Sequence, residues 1–142
     1  MTWRSALAVI VLTGSVACAG ARTGGIAPAE CQPGDTSLVR TELLMGRNIP
    51  GGGEVSDDDW RAFMADFVTP RFPNGLTVLE GSGQWRGANG VIERERGKIL
   101  MVLTGDTAAS RAADEIMAEY KRRFRQESVL RVRSRACVRF DS

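Results

Sequence analysis

Histidine is absent from the 142-residue chain, tyrosine occurs once and cysteine three times. Without histidine there is no side chain whose ordinary pKa suits proton transfer near neutrality, and the commonest metal ligand is missing. Histidine-based triads and histidine-bearing zinc sites are thereby excluded. The cysteines lie 13 and 106 residues apart with no C-x-x-C element, so they make no metal cluster either. An excess of one charge sign is also lacking: 19 Lys and Arg against 17 Asp and Glu give a net charge of +2, too small to call for a polyanion partner. No apolar run reaches the ~20 residues a membrane-spanning helix needs. What remains, 43% hydrophobic and 25% charged residues, suits one compact domain that buries its own core, and nothing in it demands a cofactor.

The N-terminus reads as an address. Arg4 supplies a positive start, residues 6–12 are an unbroken apolar run, and small residues from Gly14 to Ala19 follow, the pattern of a secretory signal. Cys18 after Ser15-Val16-Ala17 resembles the lipid-acceptor cysteine of bacterial lipoproteins, although Ser15 stands where leucine is usual. Ordinary cleavage after Ala17-Cys18-Ala19, an A-x-A site, is the alternative. Cleavage before Cys18 removes Arg4 alone among the charges and leaves 18 basic against 17 acidic residues. The expectation is a signal over residues 1–17, or 1–19, a flexible spacer over 18–37 with Gly20, Gly24, Gly25 and Pro28, and one domain over 38–142. That domain is placed in the periplasm, lipid-anchored to the outer membrane.

Within the domain, residues 38–45 have the length of a strand, closed by the Asn48-Ile49-Pro50 and Gly51-Gly52-Gly53 loop. Ser56 ahead of Asp57, Asp58 and Asp59 predicts a helix start, and Trp60, Phe63, Met64, Phe67 and Val68 form its apolar stripe up to Thr69-Pro70. A second strand runs from Leu76 to Arg86. The Ala88-Asn89-Gly90-Val91 run predicts a two-residue hairpin loop, which sets Arg86 opposite Glu93 and Trp85 opposite Arg94. Residues 99–103 read as a central strand buried on both faces. Asp106-Thr107 caps a second helix with an inward stripe of Ala109, Ala113, Ile116, Met117, Tyr120 and Phe124. On the last strand Leu130, Val132, Ala136, Val138 and Phe140 share one face, and Arg131, Arg133, Arg135 and Arg139 the other. The order β-α-β-β-α-β predicts an α+β, ferredoxin-like fold with two helices on one face of an antiparallel sheet. Its last strand would lie beside the first, bringing Cys137 near Cys31 for a disulfide in an oxidising compartment.

The arginine row reads as a solvated or ion-paired face, with Glu42 as a partner. A nucleic-acid platform would need stacking aromatics among those arginines, and there are none.

The run from Thr69 to Arg86 is the most distinctive stretch. Together with Thr41-Glu42-Leu43 and Gly46, Val55-Ser56 before Trp60 and Phe63, and Tyr120-Lys121 before Phe124-Arg125-Gln126, it resembles the bacterial exported family known as domain of unknown function 3574. The resemblance extends over about residues 41–140. It implies an extracytoplasmic, often lipoprotein-like domain and no particular activity. Met45 stands where relatives usually carry an aromatic.

Physically, Gly81 and Gly83 allow a bulge or a close approach, while Gln84, Trp85 and Arg86 supply an amide, a ring and a cation. Arg71, in a proline-flanked turn, is a second cation able to hold an anion or to bind the carbonyls at the end of the first helix. These four are the expected ligand-binding residues, and no catalytic residue stands out. The expected role is a non-catalytic binding or interaction module for a small anionic ligand or an envelope protein. The alternative is a small cofactor-free enzyme on a dimeric α+β barrel, in which the chain forms a homodimer.

Overall fold

The structure, a computed structural model, describes residues 30–86, 90–105 and 108–141. The expected signal, Cys18, residues 18–29 of the spacer, residues 87–89 of the hairpin and the expected cap at Asp106-Thr107 lie outside the described residues.

Strand alternation organises the core. Along β1 (Thr36–Gly46), Thr41, Leu43 and Met45 are buried, and the residues between them face the other way. With β2 (Thr77–Arg86), β3 (Ile92–Thr104) and β4 (Leu130–Val138) they form one antiparallel sheet in the order β2-β3-β1-β4. Leu43 pairs with Leu100 and Thr41 with Val102, so the buried row continues onto β3. The two helices, α1 (Asp57–Phe63) and α2 (Ala108–Phe124), cover this face. Trp60, Phe63, Ala113, Ile116, Tyr120 and Phe124 join Leu43, Met45, Leu100 and Val102 in one cluster. The fold is α+β, and no helix of the described residues is long and apolar enough to cross a membrane.

Helix α1 starts as its sequence dictates. The Ser56 hydroxyl accepts from the Asp59 amide at 3.1 Å and donates to the Asp59 carboxylate at 2.6 Å, so the cap satisfies an orphan N–H. Its end is more elaborate than a stop at Thr69-Pro70. Met64–Val68 forms a π-helical turn in which the Thr69 amide reaches back to the Met64 carbonyl, and Thr69–Arg71 adds a 3₁₀ turn. Pro70 has no N–H and its ring would strike the carbonyl four residues back; the widened turn carries the chain past that conflict. Helix α2 ends on Arg125, whose φ of 52° takes the left-handed position usual for glycine while the Gln126 amide bonds the Lys121 carbonyl at 3.1 Å.

Three expectations are corrected. The β2–β3 register is shifted by one residue, with Gln84 opposite Arg94, Trp85 opposite Glu93 and Arg86 opposite Ile92. The connection therefore spans residues 87–91, not two residues. The register is locked farther down the hairpin, where Lys98 pairs with Glu80 and Gly97 faces Gly81. Second, β3 is central but buried on one face only: Leu100 and Val102 are inside, whereas Leu103 is exposed, because no element of the described chain covers the other side of the sheet. Third, Glu42 is no partner of the arginine row. Register sets Leu43 opposite Arg131 and Thr41 opposite Arg133, so the arginines lie on the helix side, where Arg131 pairs with Asp114 of α2 at 2.5 Å. Glu42 lies on the opposite face with Leu130 and Val132 and pairs with Arg40.

Beyond the sheet, Cys31 and Cys137 form a disulfide with their α-carbons 5.3 Å apart. Arg139 reinforces it by pairing with Asp35 at 2.7 Å and donating to the Pro33 carbonyl at 2.8 Å.

Candidate functional site

Glycine inside a strand removes a side chain from a sheet face, and here three such gaps coincide. Gly46 of β1 pairs with Gly97 of β3, and Gly97 pairs with Gly81 of β2, so three adjacent strands carry glycine in one transverse row on the open face. Gly83 of β2 follows on the same face opposite Glu95. These gaps pave the floor of a cavity of about 930 Å³, large enough for a small organic molecule. Leu44, Ile99 and Leu130 form an apolar side, Trp85 a ring-bearing wall, and the segments 48–50 and 126–128 the rim. The rim segments are tied together, since the Gln126 side-chain amide donates to the Asn48 carbonyl at 2.8 Å.

The carboxylate of Glu95 lies down on this floor. A Cβ at Gly46 would overlap it, and the Asn48 amide approaches its Oε2 at 3.4 Å. A Cβ at Gly97 would stand 3.1 Å from the Met45 carbonyl, so the row is also tightly packed beneath. Under the floor the Tyr120 hydroxyl donates to the Gly46 carbonyl at 2.9 Å. Burial pushes the Tyr120 hydroxyl well above the ordinary phenol range, with Arg47 pulling the other way; it stays a proton donor near neutrality and braces the floor. Glu93 and Glu127 add two more carboxylates to the lining, against Arg86 and Lys98. Lys98 is engaged on the helix side, paired with Glu80 and lying 5.8 Å from the centre of the Trp60 ring. That bond holds the Glu80 carboxyl below the ordinary carboxylate range. The balance inside the cavity is acidic.

Of the four residues singled out in the sequence, Gln84, Trp85 and Arg86 line this cavity and Arg71 does not. Trp85 is 45% exposed. The Arg86 guanidinium donates to the Gly90 carbonyl at 3.3 Å. Arg71 sits at the end of the α1 turns, where it donates to the Phe67 carbonyl at 2.8 Å, pairs with Glu115 at 2.9 Å and lies 3.5 Å over the Phe67 ring. Glu95, Glu93, Gly46 and Gly97 were missed. Glycines at strand positions were the available signal, but only the pairing register shows that they form a row.

A second, smaller cavity of about 240 Å³ lies beside Arg47, Glu80 and Arg96. Its cations are matched: Arg47 pairs with Glu54 and Asp57 and donates to the Val55 carbonyl, and Arg96 pairs with Glu54. This network fastens the loop before α1 to the sheet. Among the described residues no group of three or more metal-ligating side chains occurs.

A family model described as "Protein of unknown function (DUF3574)" matches residues 40–140. No curated protein matches the chain. Among solved structures, a phage SAM lyase in complex with S-methyl-5′-thioadenosine is similar at 12% identity and a TM-score of 0.54, covering 78% of this chain and 95% of that one. The apo state of a phage SAM lyase gives 11% identity and 0.53, covering 82% and 100%. At such identities the likeness is one of fold.

Proposed function

The chain belongs to the DUF3574 family, whose function is unknown, and from that premise we propose that it is a small-ligand-binding domain whose site is the cavity on the open sheet face. We read its sheet order, β2-β3-β1-β4 with both helices on one side, as ferredoxin-like. The observation that carries the ligand reading is the Glu95 carboxylate laid against Gly46, one of a row of three glycines, in a cavity that a half-exposed tryptophan also lines. A carboxylate next to an aromatic face in a largely apolar hollow suits a cation carried on a flat or apolar body. The anionic ligand expected from Arg71 has less support, because that guanidinium is already engaged by Glu115 and Phe67.

Two probes test this by calorimetry: S-adenosylmethionine, a sulfonium cation, and S-adenosylhomocysteine, the thioether of net charge zero that differs from it by the sulfonium methyl. The wild type is expected to prefer the cation at least about tenfold, which corresponds to ~1.4 kcal/mol. Glu95→Gln should erase the preference, as should Gly46→Ala, which evicts the carboxylate from its place. Equal affinity for the two probes in the wild type, or no binding of either, would sink the reading.

A second reading, a small cofactor-free enzyme acting in the same cavity, draws on the fold shared with the phage SAM lyases. Release of S-methyl-5′-thioadenosine from S-adenosylmethionine faster than in buffer, and its loss in Glu95→Gln, would favour it over binding alone.

The proposal includes an extracytoplasmic location, with Cys18 as first residue of the processed chain, acylated and anchored to the outer membrane. Metabolic labelling with a fatty acid is expected to follow the wild type and to vanish in Cys18→Ala. Equal label in both would leave plain secretion.

A further inference from the structure

We propose that a second copy of this chain packs on the open face of the sheet, sheet against sheet, about a two-fold axis. Leu79, Leu103, Leu130 and Val132 are between 39% and 59% exposed and all point to this side. Scattered exposed leucines are ordinary. Here they lie on three of the four strands, and the half-buried Leu44 of β1 links them, next to Ile99 on one side and Leu130 on the other. Strands about 4.8 Å apart and about nine paired residues of about 3.3 Å each make a face of about 600 Å². Two copies would bury about 1,200 Å², where specific interfaces begin.

Charge points to a second copy as the occupant. In the middle of the face lies the Arg40–Glu42 ion pair, with Leu103 beside Arg40, and Met101 and Val132 on either side of Glu42. A two-fold axis near Thr41 sets this pair against its own inverse, so each arginine meets a glutamate of the other copy. A wholly apolar partner would cover the pair with nothing to match it, at a desolvation cost. The ligand cavity opens on the same face, so a copy seated there covers its mouth. That consequence rests on the ligand reading, whereas the pairing rests on the face alone.

The test is the solution mass of the full chain, by light scattering and native mass spectrometry. Twice the monomer mass is expected. Val132→Glu, which sets a second carboxylate beside Glu42, should halve it with an unchanged circular dichroism spectrum. Arg40→Glu should also halve it, and Arg40→Glu combined with Glu42→Arg should restore the dimer, because the inverted pair is still self-complementary. Should Val132→Glu fail to fold, the Arg40 series decides. A single-copy wild type, a three-copy mass, or a dimer that survives both single variants overturns the proposal. Loss of probe binding with the dimer intact counts against the ligand reading and leaves the pairing standing.

Discussion

Phe63→Ala is expected to lower the unfolding free energy by about 4 kcal/mol, within the range for removing a fully buried aromatic ring. The ring is wholly buried and is the hub of the aromatic cluster. Its centre lies 5.9 Å from Trp60, 6.1 Å from Phe67, 5.3 Å from Tyr120 and 5.8 Å from Phe124, and the Arg123 guanidinium stands 5.4 Å away. Pairs of this geometry add to simple area burial, so the cavity left behind leaves ring edges without a neighbour on every side. The effect reaches the candidate site through Tyr120, which packs on Phe63 and holds the Gly46 carbonyl from below. Urea denaturation checks the figure, with Phe67→Ala as a less buried comparison. A loss below about 1.5 kcal/mol, nearer that of an ordinary substitution, would show that the cluster is not the centre of the core.

How much of this molecule can be read from its residues depends on whether the deciding interaction is local. The Ser56 cap and the α2 stripe through Ala113, Ile116 and Tyr120 are legible because a few neighbouring side chains determine them. The disulfide is legible from topology, since a last strand running antiparallel beside the first brings Cys137 to Cys31. The hairpin register is not. Asn89-Gly90 is a strong local signal for a two-residue loop, yet Glu80–Lys98 and the Gly81–Gly97 pairing outweigh it and shift Trp85 opposite Glu93. The acidic floor was hidden for a related reason. Gly46 and Gly97 lie 51 residues apart in sequence, and only a sheet register makes them neighbours. The orientation of β4 was hidden too. Its alternating arginines and apolar residues leave two faces of similar plausibility, and the ion pair from Arg131 to Asp114 lies on the helix side while Leu130 and Val132 are left outside.

Removing the disulfide is the other change of comparable size. The bond spans a sequence separation of 106 residues, and in the chain-entropy model closing a loop that long contributes about 4 to 5 kcal/mol by restricting the unfolded chain. The folded chain around it is held by other means. Ser37 pairs with Cys137 in the β1–β4 ladder, and Arg139 holds Asp35 and the Pro33 carbonyl independently of the sulfur atoms. The effect should therefore appear chiefly through the unfolded state. Cys31→Ser with Cys137→Ser, or reduction, is expected to lower the denaturant midpoint and also to steepen the transition, because an uncrosslinked chain exposes more surface on unfolding. Superimposable curves with and without reductant would refute this. Thiol counting sharpens the result, since a chain holding the bond has Cys18 as its one remaining cysteine. Two reactive thiols besides Cys18 in the unfolded, unreduced protein would show the bond absent. In the extracytoplasmic location proposed above, a third, free cysteine would compete for Cys31 or Cys137 by exchange, and the proposed processing at Cys18 would remove that competitor, whether the thiol were acylated or cleaved away with the signal. Blocking that processing is accordingly expected to yield a fraction of chains with Cys18 in a mixed disulfide, detectable by peptide mapping. If every chain kept the Cys31–Cys137 pairing with Cys18 present and unmodified, native geometry alone would suffice to select the bond.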